Sequence, residues 1–320
     1  MAAAQTRANP AQISTRDEWA RARQQTLDHM QLVMGDLPRN GRVPLDVVRH
    51  ERVETPLFIR DYLTFADGDD DRLPAYLFSP QRSNQRAPAM LCLHQTTRIG
   101  KGEPAGAGGN PDLQYAWELA GRGYVALAPD YPNFGDYYFD PYAHGYASAT
   151  MKAIRNHMRA VDLLQSLDFV DGQRIGCIGH SLGGHNTLFV ACFDERIRAL
   201  VTSCGFNSFQ KYKGGNLAGW SHKGYMPRIA DRYANDPAKM PFDFSDVLIA
   251  LAPRPVFINA PLHDTNFEMT GVDDCVKAAE PVYGKIFAGA ERLVVVHPDA
   301  GHSFPPEIRR QAYTFLERWV

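Results

Sequence analysis

Apolar positions along the chain change spacing twice, and the changes mark out its elements. Trp19, Leu27, Met30 and Met34 recur at helical spacing behind Thr15-Arg16-Asp17-Glu18, a capping box, until Gly35 stops them. From about residue 52 the pattern turns to strand. Residues 58–65 and 73–78 predict a hairpin around the acidic run Asp67-Gly68-Asp69-Asp70-Asp71. That run reads as a solvated turn, because its glycine is misplaced for a calcium loop and no bidentate glutamate follows at the required distance.

Beyond the hairpin, short apolar strands alternate with helices. Strands are predicted at 90–93, 124–128, 175–178, 199–203, 256–259 and 293–296. Helical faces fall on Leu113, Trp117 and Ala120, then on Met151, Ile154, Met158, Val161 and Leu164. A helix at 184–192 follows, and the last carries Ile308, Ala312, Phe315 and Trp319 behind Pro305-Pro306. Repeated strand–helix units imply a mainly parallel sheet with its ligand at the carboxyl ends of the strands. Residues 205–246 break the rhythm and read as a lid-like insertion. The chain thus divides into an N-terminal helical extension, 1–51, and one α/β domain, 52–320.

Between the strand at 175–178 and its helix stands Gly179-His180-Ser181-Leu182-Gly183, followed by Gly184. A serine on a tight strand-to-helix turn is pushed out above the sheet, and the flanking glycines give the clearance. Its hydroxyl needs a base, and the base needs an acceptor on its other ring nitrogen. Eleven histidines compete for that place, so position decides. His302 follows the strand at 293–296 by a short glycine-containing loop, whereas His297 is close enough to the strand to cap it. His180 is the variable residue of the elbow, so its ring is expected to point away from the nucleophile. Asp264 lies a short loop past the strand at 256–259; Asp273 and Asp274 start the next helix, and Asp299 shares the base's own loop. The order Ser181, Asp264, His302 is that of a hydrolase sheet.

The tetrahedral intermediate needs two N–H donors. Leu182 supplies one, and either Gln95 or Thr96, after the strand at 90–93, supplies the other. Tyr131, Phe134 and Tyr137 follow one strand end and Trp220 and His222 another, on the catalytic side. They are expected to wall the substrate pocket, with an aromatic core under a long loop as the plain alternative. Lys101 and Arg98 read as exposed basic residues.

Composition narrows the setting. In 320 residues the apolar fraction is 44% and the net charge −2, so neither disorder nor attraction to nucleic acid or an anionic membrane is indicated. No apolar run reaches spanning length, and the start Met-Ala-Ala-Ala-Gln-Thr-Arg is unlike a signal peptide. Five cysteines without a C-x-x-C pair read as reduced core residues, which fits the cytoplasm, a processed secreted form staying open.

At L-H-Q-T-T, R-G-Y-V-A-L-A-P-D-Y-P, R-I-G-C-I-G-H-S-L-G-G, A-P-R-P-V-F and A-G-H-S-F-P the chain resembles the α/β-hydrolase superfamily, nearest to bacterial esterases of the dienelactone-hydrolase and acetyl-xylan-esterase type. The resemblance implies an eight-stranded, mostly parallel sheet, the triad Ser181, Asp264 and His302, and no metal or organic cofactor. Dienelactone hydrolases proper use a cysteine in place of Ser181, and Gln95 stands where glycine is common. The prolyl-oligopeptidase group shares this catalytic domain, but no propeller repeat is seen in this sequence. The expected activity is hydrolysis of a small acetyl, short-acyl, aryl or sugar ester through an acyl-enzyme. The alternatives are a peptidase or amidase on the same site and a non-catalytic binding protein. The expected partner is a small-molecule ester, with no nucleic acid and no membrane; a homo-oligomer stays open.

Overall fold

The computed structural model describes residue 7 and residues 9–38, 43–68, 70–81 and 85–320. The first six residues, read above as lacking a leader, and Asp69 of the acidic run lie outside the described residues. Strands β1 (Val48–Glu54), β2 (Phe58–Gly68) and β3 (Asp71–Pro80) form an antiparallel meander. They are followed by β4 (Ala87–Leu93), β5 (Val125–Pro129), β6 (Val170–His180), β7 (Ile197–Ser203), β8 (Val256–Asn259) and β9 (Leu293–Val296). The sheet order is β1-β2-β3-β5-β4-β6-β7-β8-β9; β3 meets β5 antiparallel, and every pairing from β5 through β4 to β9 is parallel. Nine strands replace the expected eight. The addition is β1, whose residues are nearly all exposed and so show no apolar alternation to read.

Helices cover both faces, which is why β5 and β8 are buried at every position and β4 at all but one. One face is packed by α1 (Arg16–Met34), and the other by α2 (Tyr115–Gly121) together with the C-terminal helix. With α1 lie α3 (Ala149–Ser166) and α4 (Leu182–Phe193). A short α5 (Arg228–Tyr233) belongs to the segment between β7 and α6 (Phe244–Leu251); α7 (Met269–Pro281) and the terminal α8 (Pro306–Trp319) complete the set. The capping box at Thr15 forms, and the Trp19 indole donates at 2.8 Å to the Ile249 carbonyl, fastening α1 to α6. Among the described residues no helix is long and apolar enough to cross a membrane.

Two charged features differ from their sequence reading. Asp67 and Asp71 are buried rather than solvated: both accept from Lys152 Nζ of α3, Asp67 at 2.9 Å, and Asp67 also accepts from Arg155 at 2.8 Å. Lys101 is buried as well, with Nζ at 2.8 Å from Asp130 and 2.5 Å from Asp136. In each case the partner comes from a distant part of the chain, so local sequence gives no sign of it.

Candidate active site

Ser181 sits between β6 and α4 with φ 53° and ψ −116°, a region non-glycine residues rarely occupy. Such a conformation costs about 1–3 kcal/mol and persists only where the surroundings hold it. Here the Ser181 N–H donates to the Ser203 carbonyl of β7 at 2.8 Å, and the Ser181 carbonyl receives the Gly184 N–H at 2.9 Å. A Cβ on Gly183 would lie 1.9 Å from the Leu93 carbonyl oxygen, and one on Gly179 would lie 2.2 Å from that of Gly183. Only glycine lets α4 start this close to β4.

His302, on the loop between β9 and α8, directs Nδ1 at both carboxylate oxygens of Asp264, 3.0 and 2.9 Å away. Asp264 lies in the turn after β8, where Oδ1 also accepts the N–H groups of Asn266 at 2.8 Å and Phe267 at 3.0 Å. Burial pushes this carboxyl up, but the bonds from His302 and the two N–H groups outweigh it and hold it below the usual carboxylate range. The resulting anion keeps the proton on Nδ1 and leaves Nε2 with a lone pair. Ser181 and His302 open on one cavity of about 420 Å³. No hydrogen bond joins them among the described residues; contacts of this kind commonly tighten when substrate arrives.

The competing groups are engaged elsewhere. His297 has Nδ1 at 2.7 Å from the Ala260 carbonyl and Nε2 at 3.1 Å from Asp273. Asp299 pairs with His263 at 2.8 Å, and Asp274 with Lys211 at 2.7 Å. The His180 ring packs 4.9 Å from the His302 ring, with Nδ1 held 2.9 Å from Ser203 Oγ. Burial pushes it down to about 3, so it stays neutral beside His302.

Leu182, Gln95 and Thr96 reach the cavity. The Leu182 N–H belongs to the first turn of α4, where N–H groups lack helical partners. On the other side, buried His94 has Nδ1 2.6 Å from the Gln95 carbonyl and Nε2 accepting the Tyr131 N–H at 2.9 Å. The carbonyl can only accept, so the tautomer is fixed. In a trans peptide C=O and N–H point opposite ways, so the Thr96 N–H, which shares a plane with the Gln95 carbonyl, is directed away from the His94 ring. The Gln95 side chain donates at 2.8 Å to Glu103.

Trp220 and His222 line the cavity; Tyr131, Phe134 and Tyr137 do not. Tyr131 donates its hydroxyl to the Gly224 carbonyl at 2.9 Å, and Tyr137 gives its own to Asp71 at 2.8 Å. Phe134 packs edge-on against His94. Tyr131 and Phe134 thus pack behind residues next to the wall, whereas Tyr137 belongs to the cluster around Asp71. The wall itself also contains His185, Tyr225 and Phe267. Of these, His185 had a readable signal: it is four residues beyond Ser181 on a predicted helix, hence on the same face. Among the described residues one set of possible metal donors clusters, Cys204 with Asp264 and His302 within 4.8 Å. Burial pushes the Cys204 thiol well up, so it neighbours the carboxylate as a neutral S–H rather than a thiolate ligand.

A mostly parallel sheet flanked by helices, with a strained serine after β6 and an Asp–His pair on the loops after β8 and β9, defines an α/β-hydrolase. The chain belongs to the prolyl oligopeptidase family, whose sequence profile matches residues 112–320. It is 29% identical over 301 residues to YtaP of Bacillus subtilis (strain 168), a protein bearing a provisional hydrolase name, across 90% of this chain and 96% of that one. Among solved structures, a glucuronoyl esterase from Solibacter usitatus superposes with TM-score 0.73 at 17% identity, covering 95% of this chain and 94% of its own. An acetyl xylan esterase from Paenibacillus sp. R4 gives TM-score 0.63 at 18% identity, covering 94% and 93%. At these identities the two structures share the fold.

Proposed function

We propose that this chain is a serine hydrolase that cleaves a small carboxylic ester through an acyl-enzyme. Ser181 Oγ attacks the ester carbonyl as His302 Nε2 removes its proton, and Asp264 stabilises the charged ring. The developing oxyanion is received by the N–H groups of Leu182 and, from its peptide plane, Thr96, with Gln95 the alternative donor. His302 then returns the proton to the departing alcohol, and the same nitrogen activates the water that releases the acid.

The observation that carries this reading is the contact of His302 Nδ1 with both oxygens of Asp264, on a ring that opens with Ser181 on one cavity. Against a peptide held by its free amino terminus stands the lining, which among the described residues contains no carboxylate to receive a terminal ammonium. The names of the superposed structures, glucuronoyl esterase and acetyl xylan esterase, favour ester over amide in the same way.

Hydrolysis of p-nitrophenyl acetate compared with its amide analogue tests the proposal, together with labelling by a fluorophosphonate. The ester is expected to be cleaved, the amide spared, and Ser181 labelled. A folded protein whose Ser181 resists the probe and which leaves the ester intact overturns it.

A further inference from the structure

Besides His302, two imidazoles line the cavity with Ser181, and the backbone fixes opposite tautomers in them. His185 lies on the Ser181 side of α4 with Nδ1 3.2 Å from the Gly205 carbonyl. A carbonyl only accepts, so Nδ1 carries the proton and Nε2 keeps its lone pair. His222 is the reverse: its Nδ1 accepts the Gly224 N–H at 3.1 Å, which leaves the proton on Nε2. Burial pushes His185 down to about 3 and lowers His222 too, so neither ring is a cation near neutrality. Neither Nε2 has a protein partner among the described residues.

Tyr225 lies between the two rings, 4.2 Å from His222 and 5.6 Å from His185 between centroids, and its hydroxyl is 3.0 Å from Thr96 Oγ1. Trp220 meets His185 edge-on at 4.8 Å. Among the described residues that line the cavity none is a lysine, arginine, aspartate or glutamate. Beside the amides and hydroxyls of Gln95, Asn266, Thr96, Tyr212 and Tyr225, the space next to Ser181 therefore presents one fixed imidazole acceptor, one fixed imidazole donor and aromatic faces, with no carboxylate, ammonium or guanidinium.

We infer that the site selects esters of a neutral polyhydroxylated molecule, a sugar-type ring, whose hydroxyls are read by His185 Nε2 as acceptor and His222 Nε2–H as donor. The inference rests on Ser181 being the nucleophile. Hydroxyls satisfy both nitrogens without burying a charge, and the ring's C–H edges suit the faces of Tyr225 and Trp220. A carboxylate would meet the His185 lone pair with no cation to offset it. A purely aliphatic ester would expel water and leave the nitrogen of buried His185 unpaired, the situation in which a polar site discriminates most strongly.

Steady-state kinetics on two acetates of matched size, a mono-acetylated methyl xylopyranoside and cyclohexyl acetate, test this in the wild type, His185→Phe and His222→Phe. The wild type is expected to favour the sugar acetate at least about tenfold in kcat/KM, and each variant to lose about tenfold of that ratio. His222 is exposed, so His222→Phe decides the matter should His185→Phe not fold. Equal rates on the two acetates in the wild type, or a ratio that neither variant moves, overturns the inference and leaves the esterase reading standing. Failure of the wild type on both acetates, with Ser181 unlabelled by fluorophosphonate, overturns that reading itself.

Discussion

The side-chain amide of Asn259, the last residue of β8, donates at 2.9 Å to the backbone carbonyl of Ser303, the residue after His302. The same nitrogen donates at 2.8 Å to Ser203 Oγ, and the Ser203 carbonyl holds the Ser181 N–H. One buried amide thus joins the loop of His302 to the turn of Ser181. Asn259→Ala is expected to lower kcat about 10- to 100-fold with KM little changed, since it frees the base without touching the substrate wall. Steady-state kinetics beside a thermal melt check it; an unchanged kcat in a folded variant would show that the loop is held by other contacts.

Ser181→Ala and His302→Ala are expected to fold and to lose about 10⁴- to 10⁶-fold in turnover. His297→Ala is expected to stay active, because both its ring nitrogens are spent on Ala260 and Asp273. Activity that survives at 302 and vanishes at 297 would reassign the base.

The depressed pKa of Asp264 gives a signed prediction for stability. A carboxyl that ionises more readily in the folded chain stabilises it above the unfolded value of about 3.9, and this contribution is lost as pH falls through the folded pKa. Urea midpoints of the wild type and Asp264→Asn should therefore differ most near neutrality and converge on acidification. A gap that widens toward low pH would contradict the assignment.

The strand ends that carry Ser181, Asp264 and His302 could be read from the sequence because the cues are local: an apolar run, a glycine-flanked turn, and a helix or loop directly after it. The wall could not be read in the same way. Tyr131 and Tyr137 have the same aromatic character as Trp220, yet they turn to Gly224 and Asp71, 93 and 66 residues away. Polar β1 was hidden by its exposure, and Lys101 and Lys152 by partners that only the fold brings near. Periodicity reports which way a segment faces, not what it meets.

Lys152, 1% exposed, is held between Asp67 and Asp71. Lys152→Met leaves those carboxylates facing each other with Arg155 as their remaining cation, and is expected to cost about 3–5 kcal/mol. Urea unfolding measures it; a loss below about 1 kcal/mol would mean that water or a rearranged Arg155 replaces the ammonium.

Gly183→Ala places a methyl group against the Leu93 carbonyl, backbone against backbone. The expected result is loss of soluble folded protein, or a folded protein without fluorophosphonate labelling because the elbow has opened. Full labelling of this variant would show that α4 can retreat from β4 at little expense.

Trp220, His222 and Tyr225 all come from the segment between β7 and β8, whereas the reacting side chains are anchored to strand ends. Much of the wall is therefore carried by a stretch of polypeptide separate from the strand ends, with His185 of α4 as the exception. Grafting another 205–243 segment onto this sheet would alter the appetite of the protein while leaving Ser181, Asp264, His302 and the His185 acceptor in place, which makes the scaffold a natural starting point for redesign.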